Sequence, residues 1–116
     1  VIVGIGVDVV DLARFERAIA RTPRLRDRLF AESERDLPVA SLAGRFAAKE
    51  ALIKALGDSV GARWHDMVVV RDEHGNPSFA LHGPARAAAE ARGIARFHLS
   101  MTHDAGIACA FVVAES

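Results

Sequence analysis

The sequence predicts an α+β fold: a single small domain, residues 1–116, in which an antiparallel sheet packs against one long helix. Three observations carry this. Strand-like and helix-like segments are mixed along the chain. The strands fall into hairpins joined by short turns, and strict βαβ alternation is absent. A chain of 116 residues that is 51% hydrophobic and 26% charged has the composition of one soluble globular domain with a small core.

Each element has its own warrant. Val1–Val10 reads as a strand of the buried type, with Gly4 and Gly6 inside it. Alternation puts Gly4, Gly6 and Asp8 on one face and Val3, Ile5, Val7 and Val9 on the other. Two glycines beside a carboxylate either admit a ligand close to the backbone or accommodate a packed helix, and both readings stand. Asp11 can cap a helix running to about Arg21, ended by Thr22-Pro23. On it Leu12, Phe15 and Ile19 turn inward, opposite a stripe of Arg14, Arg17 and Arg21. Residues 24–37 read as short helical turns. Pro38 opens the long helix, which ends near Gly57, and Gly57–Gly61 forms a loop. Met67–Val70 and Ser78–Leu81 are strands joined through the Gly75-Asn76-Pro77 turn. Gly83-Pro84 starts an Ala-rich helix closed by Gly93. Phe97–Thr102 and Ile107–Ala114 form the last hairpin, around His103-Asp104-Ala105-Gly106.

Composition excludes several classes. No apolar run approaches the roughly 18 residues of a membrane span, and Asp8 and Asp11 break any N-terminal signal pattern. The single Cys109, in an apolar segment, reads as a buried structural thiol, and a cytoplasmic protein without disulfides follows. His65, His74, His82, His98 and His103 have no metal-ligand spacing, which argues against a zinc site. Net charge is zero, yet residues 12–28 hold six arginines against Glu16 and Asp27. That patch suits an acidic partner. Nucleic acid is a poor match, because no aromatics interleave the arginines and the chain has no overall basic balance.

The chemistry concentrates in Arg45-Phe46-Ala47-Ala48-Lys49-Glu50-Ala51-Leu52-Ile53-Lys54. The chain has thirteen arginines and only two lysines, and both lysines lie within one turn of Glu50. A compact ammonium differs from a planar guanidinium fork, so their retention points to a specific need. Lys49 falls near the middle of the apolar face, where an unpaired ammonium is costly. Glu50 and Lys54 form either a surface i,i+4 pair or part of a site. Asp8 and Glu50 together suit Mg²⁺, which takes one or two carboxylates plus waters and phosphate oxygens. Lys49 and Lys54 would answer phosphate charge, so the set fits phosphoryl-group chemistry.

These residues resemble a known family. Gly4-Ile5-Gly6-Val7-Asp8, then Leu42 to Ala51 with Lys54, then Ser100-Met101-Thr102-His103 are similar in type and order to holo-acyl-carrier-protein synthases, the small bacterial group of 4′-phosphopantetheinyl transferases. The resemblance spans nearly the whole chain. It implies a Mg²⁺-dependent transfer of the phosphopantetheinyl arm of coenzyme A (CoA) to a serine of acyl carrier protein, releasing adenosine 3′,5′-bisphosphate. By the same resemblance Asp8 and Glu50 are the metal-binding acids, and Lys54 lies near the transferring phosphate. Arg45, Gly75-Asn76-Pro77 and Thr102-His103 surround the adenosine and its 3′-phosphate, with Lys49 grouped among the cofactor-binding residues. Arg14, Arg17 and Arg21 dock the carrier protein. Asp36 is either a base for the serine, through a water, or a solvated helix acid. The family pattern is a homotrimer with active sites at subunit interfaces. Two rivals compete with this reading: an interaction module that binds an acidic protein through its arginine helix, and a Mg²⁺-dependent nucleotide hydrolase.

Overall fold

Ten residues of near-continuous β-formers open the chain, and they form the first strand, β1 (Ile2–Asp11). The structure is a computed structural model, and it describes residues 1–57, 61 and 63–116. After β1 come α1 (Leu12–Arg21), α2 (Arg24–Leu29) and the long α3 (Val39–Leu56). A 3-10 turn over Trp64–Asp66 leads into β2 (Met67–Arg71) and β3 (Pro77–Leu81). Then follow α4 (Gly83–Ala91), β4 (Arg96–Asp104) and β5 (Ile107–Glu115). The α+β class and the two hairpins stand as expected. The expected Gly57–Gly61 loop falls largely on residues 58–60, outside the described residues. Gly57 itself ends α3 in the left-handed conformation, φ 91°, with its N–H on the Lys54 carbonyl.

The strands form a three-stranded antiparallel sheet in the order β1-β5-β4 and a separate two-stranded sheet, β2-β3. The β4–β5 hairpin is longer than the sequence suggested. Asp104 pairs with Ile107 across a two-residue turn in which Ala105 and Gly106 both have positive φ, 52° and 79°. His103 and Asp104 therefore sit on the strand with Thr102, not in the turn. The small sheet meets the large one where Phe79 and Phe97 stack edge-on, with ring centroids 6.2 Å apart.

Helix α3 is the centre of the molecule. Leu42, Ala43, Ala47, Ala48, Ala51, Leu52, Ala55 and Leu56 are all buried, so its apolar surface runs round the helix rather than along one face. The inner sides of β1 and β5 pack on it, the latter through Ala108, Ala110, Val112 and Ala114. Helix α1 covers another side: Phe15 and Ile19 are buried and Arg14, Arg17 and Arg21 are exposed, as their spacing predicted. Asp11 accepts the Arg14 N–H at 2.9 Å and caps that helix.

Two expectations need correction. β1 is not covered on both faces, because Ile5, Val7 and Val9 are 59%, 47% and 55% exposed. Only its glycine-bearing face meets α3. Cys109 is half-buried rather than buried, because it lies in the same open face, opposite Val9.

Candidate active site

The site begins with two missing side chains. A Cβ on Gly4 would lie 2.1 Å from the Ala55 carbonyl oxygen, and one on Gly6 would lie 1.8 Å from that of Ala51. The glycines thus serve the second of their two readings: what approaches β1 closely is the backbone of α3. Two strand residues advance about 6.6 Å and four helix residues about 6 Å, so the two elements run in step. One step further along the same strand face comes Asp8, level with the next turn of α3. Glu50 and Lys54 flank that track, and the three side chains meet.

Lys54 Nζ donates to the Val7 carbonyl at 2.9 Å and lies 3.4 Å from Asp8 Oδ1. The lysine therefore turns to β1, and no Glu50–Lys54 ion pair is found among the described residues. Asp8 and Glu50 line one cleft of about 620 Å³ between β1, α1 and α3, with Phe15 and Phe46 as its apolar wall and Arg14 at its rim. Burial raises the Glu50 pKa, the Asp8 charge raises it further, and Lys54 partly opposes both. Two carboxylates that repel across a half-buried cleft fit a divalent cation, which would relieve that repulsion. No group of three or more acidic, His or Cys ligands occurs among the described residues. The donor set suits Mg²⁺, which commonly takes one or two carboxylates and fills its remaining positions from water and phosphate. Asp36 is exposed and lies outside the residues lining this cleft.

Lys49 departs from its expected role. Its ammonium is fully buried and donates to Glu34 Oε1 at 2.8 Å, the Leu29 carbonyl at 2.8 Å and the Trp64 carbonyl at 3.2 Å. Its three donors are thereby used, with the Phe30 ring 5.1 Å away. Burial lowers its pKa against the opposing Glu34 hydrogen bond. Lys49 is a structural cation that ties α3 to the end of α2 and to the 3-10 turn, and none of its protons is left for a phosphate. Its partner Glu34, 1% exposed, also accepts the N–H groups of Ala31 (3.0 Å) and Val69 (3.1 Å).

Arg45 shares that carboxylate, with Nε 3.6 Å from Glu34 Oε2. It is 7% exposed, and Nε has no hydrogen-bond partner. Burial lowers its pKa, Glu34 opposes this, and the charge of Arg71 lowers it again. Arg71, which sequence reasoning did not single out, lines a small pocket of about 100 Å³ with Ser41, Gly44, Met101, Thr102 and His103. Its Nη1 donates to the Gly75 carbonyl at 2.6 Å, which ties the Gly75-Asn76-Pro77 turn to the same region. Only its membership of a strand end next to that turn marked it in the sequence.

The expected residues thus separate into two groups. Ala40, Ser41 and Gly44 lie roughly 80–180° around α3 from Phe46 and Glu50. One face of the helix carries Asp8, Glu50, Lys54 and Arg14. The opposite region carries Arg45, Thr102, His103 and the turn. Within one chain, the body of α3 stands between them.

Residues 4–112 match the model of the 4′-phosphopantetheinyl transferase superfamily. A holo-[acyl-carrier-protein] synthase of Leifsonia xyli is 68% identical over 114 residues, covering 98% of this chain and 97% of that one. The crystal structure of the Neisseria meningitidis synthase covers 100% of both chains at 34% identity, with a TM-score of 0.92. The Helicobacter pylori synthase in complex with coenzyme A covers 96% of this chain and 99% of its own, at 31% identity and a TM-score of 0.84.

Proposed function

The chain belongs to the 4′-phosphopantetheinyl transferase superfamily, as an enzyme of its holo-acyl-carrier-protein synthase group, and we propose that it moves the phosphopantetheinyl arm of coenzyme A onto a serine of apo-acyl carrier protein. The observation that carries this reading is that Asp8 and Glu50 share one cleft with Arg14, while Lys54 lies 3.4 Å from Asp8.

Asp8 and Glu50 are the residues that would hold Mg²⁺. The bound ion supplies charge neutralisation to the phosphate oxygens. The serine Oγ gives up its proton to water and bonds to the phosphorus that carries pantetheine, and the bond from that phosphorus to the bridging oxygen breaks. The leaving group is adenosine 3′,5′-bisphosphate. Lys54, steadied by the Val7 carbonyl and Asp8, places an ammonium where the leaving oxygen gains charge and can protonate it. Arg14, Arg17 and Arg21 dock the acidic carrier beside the cleft. Arg45, Thr102, His103 and the Gly75-Asn76-Pro77 turn hold the adenosine end.

A homotrimer with shared sites reconciles the two groups of residues. One ligand reaches both faces of α3 if the faces belong to different copies. The uncovered side of the large sheet supports association: Ile5, Val7, Val9, Ile107 and Phe111 form one apolar patch, each 38–59% exposed. No helix is long and apolar enough to cross a membrane among the described residues, and a chain with one cysteine suits the reducing cytoplasm.

Incubation with CoA, Mg²⁺ and apo-carrier protein, followed by intact mass, tests the function. The carrier should gain one phosphopantetheinyl group. Release of phosphate from CoA with an unmodified carrier would favour the hydrolase, and absence of Mg²⁺-dependent CoA binding would favour the interaction module.

A further inference from the structure

Transfer needs a group that takes the serine proton, and the cleft holds one carboxylate that has no part yet in the chemistry. The ionisable residues lining it are Asp8, Asp11, Arg14 and Glu50. Asp8 and Glu50 are committed to the cation, and Arg14 is no base because a guanidinium stays protonated. Asp11 remains. It is exposed, and its Oδ1 accepts the Arg14 N–H at 2.9 Å as the cap of α1. No other partner of that carboxylate is found among the described residues. A capping carboxylate uses one oxygen and leaves the lone pairs of the other for a water.

Its place in the cleft decides the matter. Helix α1 carries the arginines that dock the carrier, so the serine enters from the α1 side, where Asp11 opens the first turn. Lys54 is held on the α3 side by the Val7 carbonyl and Asp8. Three strand residues separate Asp8 from Asp11, about 10 Å along β1. Displacement at phosphorus sets the attacking and leaving oxygens roughly in line, on opposite sides. The cleft thus offers an acid where the leaving oxygen departs and a carboxylate where the nucleophile enters. We infer that Asp11 is the general base of the transfer, drawing the serine proton through one bridging water. This rests on the phosphopantetheinyl transfer proposed above. The serine Oγ passes its proton to the water as its bond to phosphorus forms, and the water passes a proton to Asp11. The bond from phosphorus to the bridging oxygen breaks, and Lys54 supplies the proton that oxygen takes. Solvent then removes the proton from the exposed Asp11 and restores the one on Lys54. The charged groups around Asp11 are Asp8 on its own strand, Arg14 on α1, Glu50 and Lys54 on α3, and Asp104, which pairs with Ile107 from the far side of β5.

Single-turnover and steady-state transfer with CoA, Mg²⁺ and apo-carrier protein test this on the wild-type protein, Asp11→Asn and Asp11→Ser. Asn and Ser cap helices about as well as Asp, so α1 and the urea midpoint should be preserved. Asp11→Asn should lower the single-turnover rate roughly 10²–10⁴-fold, the range for general acid–base catalysis. The KM values for CoA and carrier and the Mg²⁺ requirement should hold. Removing a negative charge beside the arginines gives an acidic carrier no reason to bind more weakly. Asp11→Ser also vacates the space of the carboxylate, so added formate should restore part of its rate and leave the wild-type rate unchanged. An unchanged rate in Asp11→Asn would overturn the assignment. So would a loss carried by KM or by a raised Mg²⁺ requirement, or a slow Asp11→Ser protein that formate does not speed. A wild-type protein that leaves the carrier unmodified would overturn the proposed function, and the role of Asp11 with it.

Discussion

Gly6→Ala is the sharpest perturbation of the site, although it changes no functional group. Real Cβ atoms essentially never approach an oxygen closer than 3.0 Å, and this one would begin 1.8 Å from the Ala51 carbonyl. Both atoms belong to or hang directly on backbone, so β1 and α3 must separate by more than about 1 Å. Overpacking of that kind costs about 1–3 kcal/mol, which lowers a urea midpoint by about 1 M. The catalytic loss should be larger than the stability loss implies. Asp8 moves with β1 and Glu50 with α3, and a displacement of 1 Å in a positioned group costs on the order of 10²-fold in rate. Gly44→Ala is the control. Its added Cβ meets only the flexible end of Met101 at 3.0 Å, and the helix gains about 1 kcal/mol of intrinsic propensity. Urea unfolding and single-turnover transfer on both variants decide the matter. Wild-type stability and rate in Gly6→Ala would refute the idea that the glycine contact assembles the site.

Other consequences follow from the same geometry. Asp8→Asn and Glu50→Gln should each remove most transfer, and the double variant should lose little more, because one shared metal site is broken only once; additive losses in single-turnover rates would contradict this. Glu50→Gln should also stabilise the metal-free protein at neutral pH. Burial and Asp8 raise the Glu50 pKa in the fold, so the fold disfavours its charged form relative to the unfolded chain. The penalty appears as pH rises through the unfolded and then the folded pKa, and the two urea midpoints should converge below about pH 4. Arg14→Glu should weaken carrier binding and flatten its salt dependence while CoA binding holds, since exposed charges act over about 8–10 Å at physiological ionic strength. Unchanged carrier affinity at low salt would return the stripe to a solvated helix face.

Much of this architecture was readable before any coordinates. Local rules sufficed for Asp11 as a cap, Gly57 as a helix end, Pro84 as a helix start and Phe15–Ile19 as an inward stripe, because each depends on neighbours within one or two turns. Asp8, Glu50 and Lys54 were legible as types, but their meeting depends on Gly4 and Gly6 packing against α3, a contact across some 45 residues of chain. Lys49 shows where local reading fails. Its place amid apolar residues signalled an expensive ammonium, yet the partner that resolves the expense, Glu34, comes from an irregular segment with no periodicity to mark it. In Glu34-Arg35-Asp36 the sequence drew attention to Asp36, whereas the structure buries Glu34 and leaves Asp36 in solvent. The open face of β1 could not be read either, since an apolar strand looks the same whether its second face meets its own chain or another.

Whether the two faces of α3 serve one reaction is tested most directly by complementation. Glu50→Gln disables one face, and His103→Ala, an exposed change on β4, disables the other. Each variant alone should transfer poorly. Co-expressed and purified as mixed oligomers, they should regain activity well above the sum of the two, because some interfaces then pair an intact Asp8–Glu50 face with an intact Thr102–His103 face. Mixed oligomers that form but stay as inactive as their parents would contradict a site shared between copies.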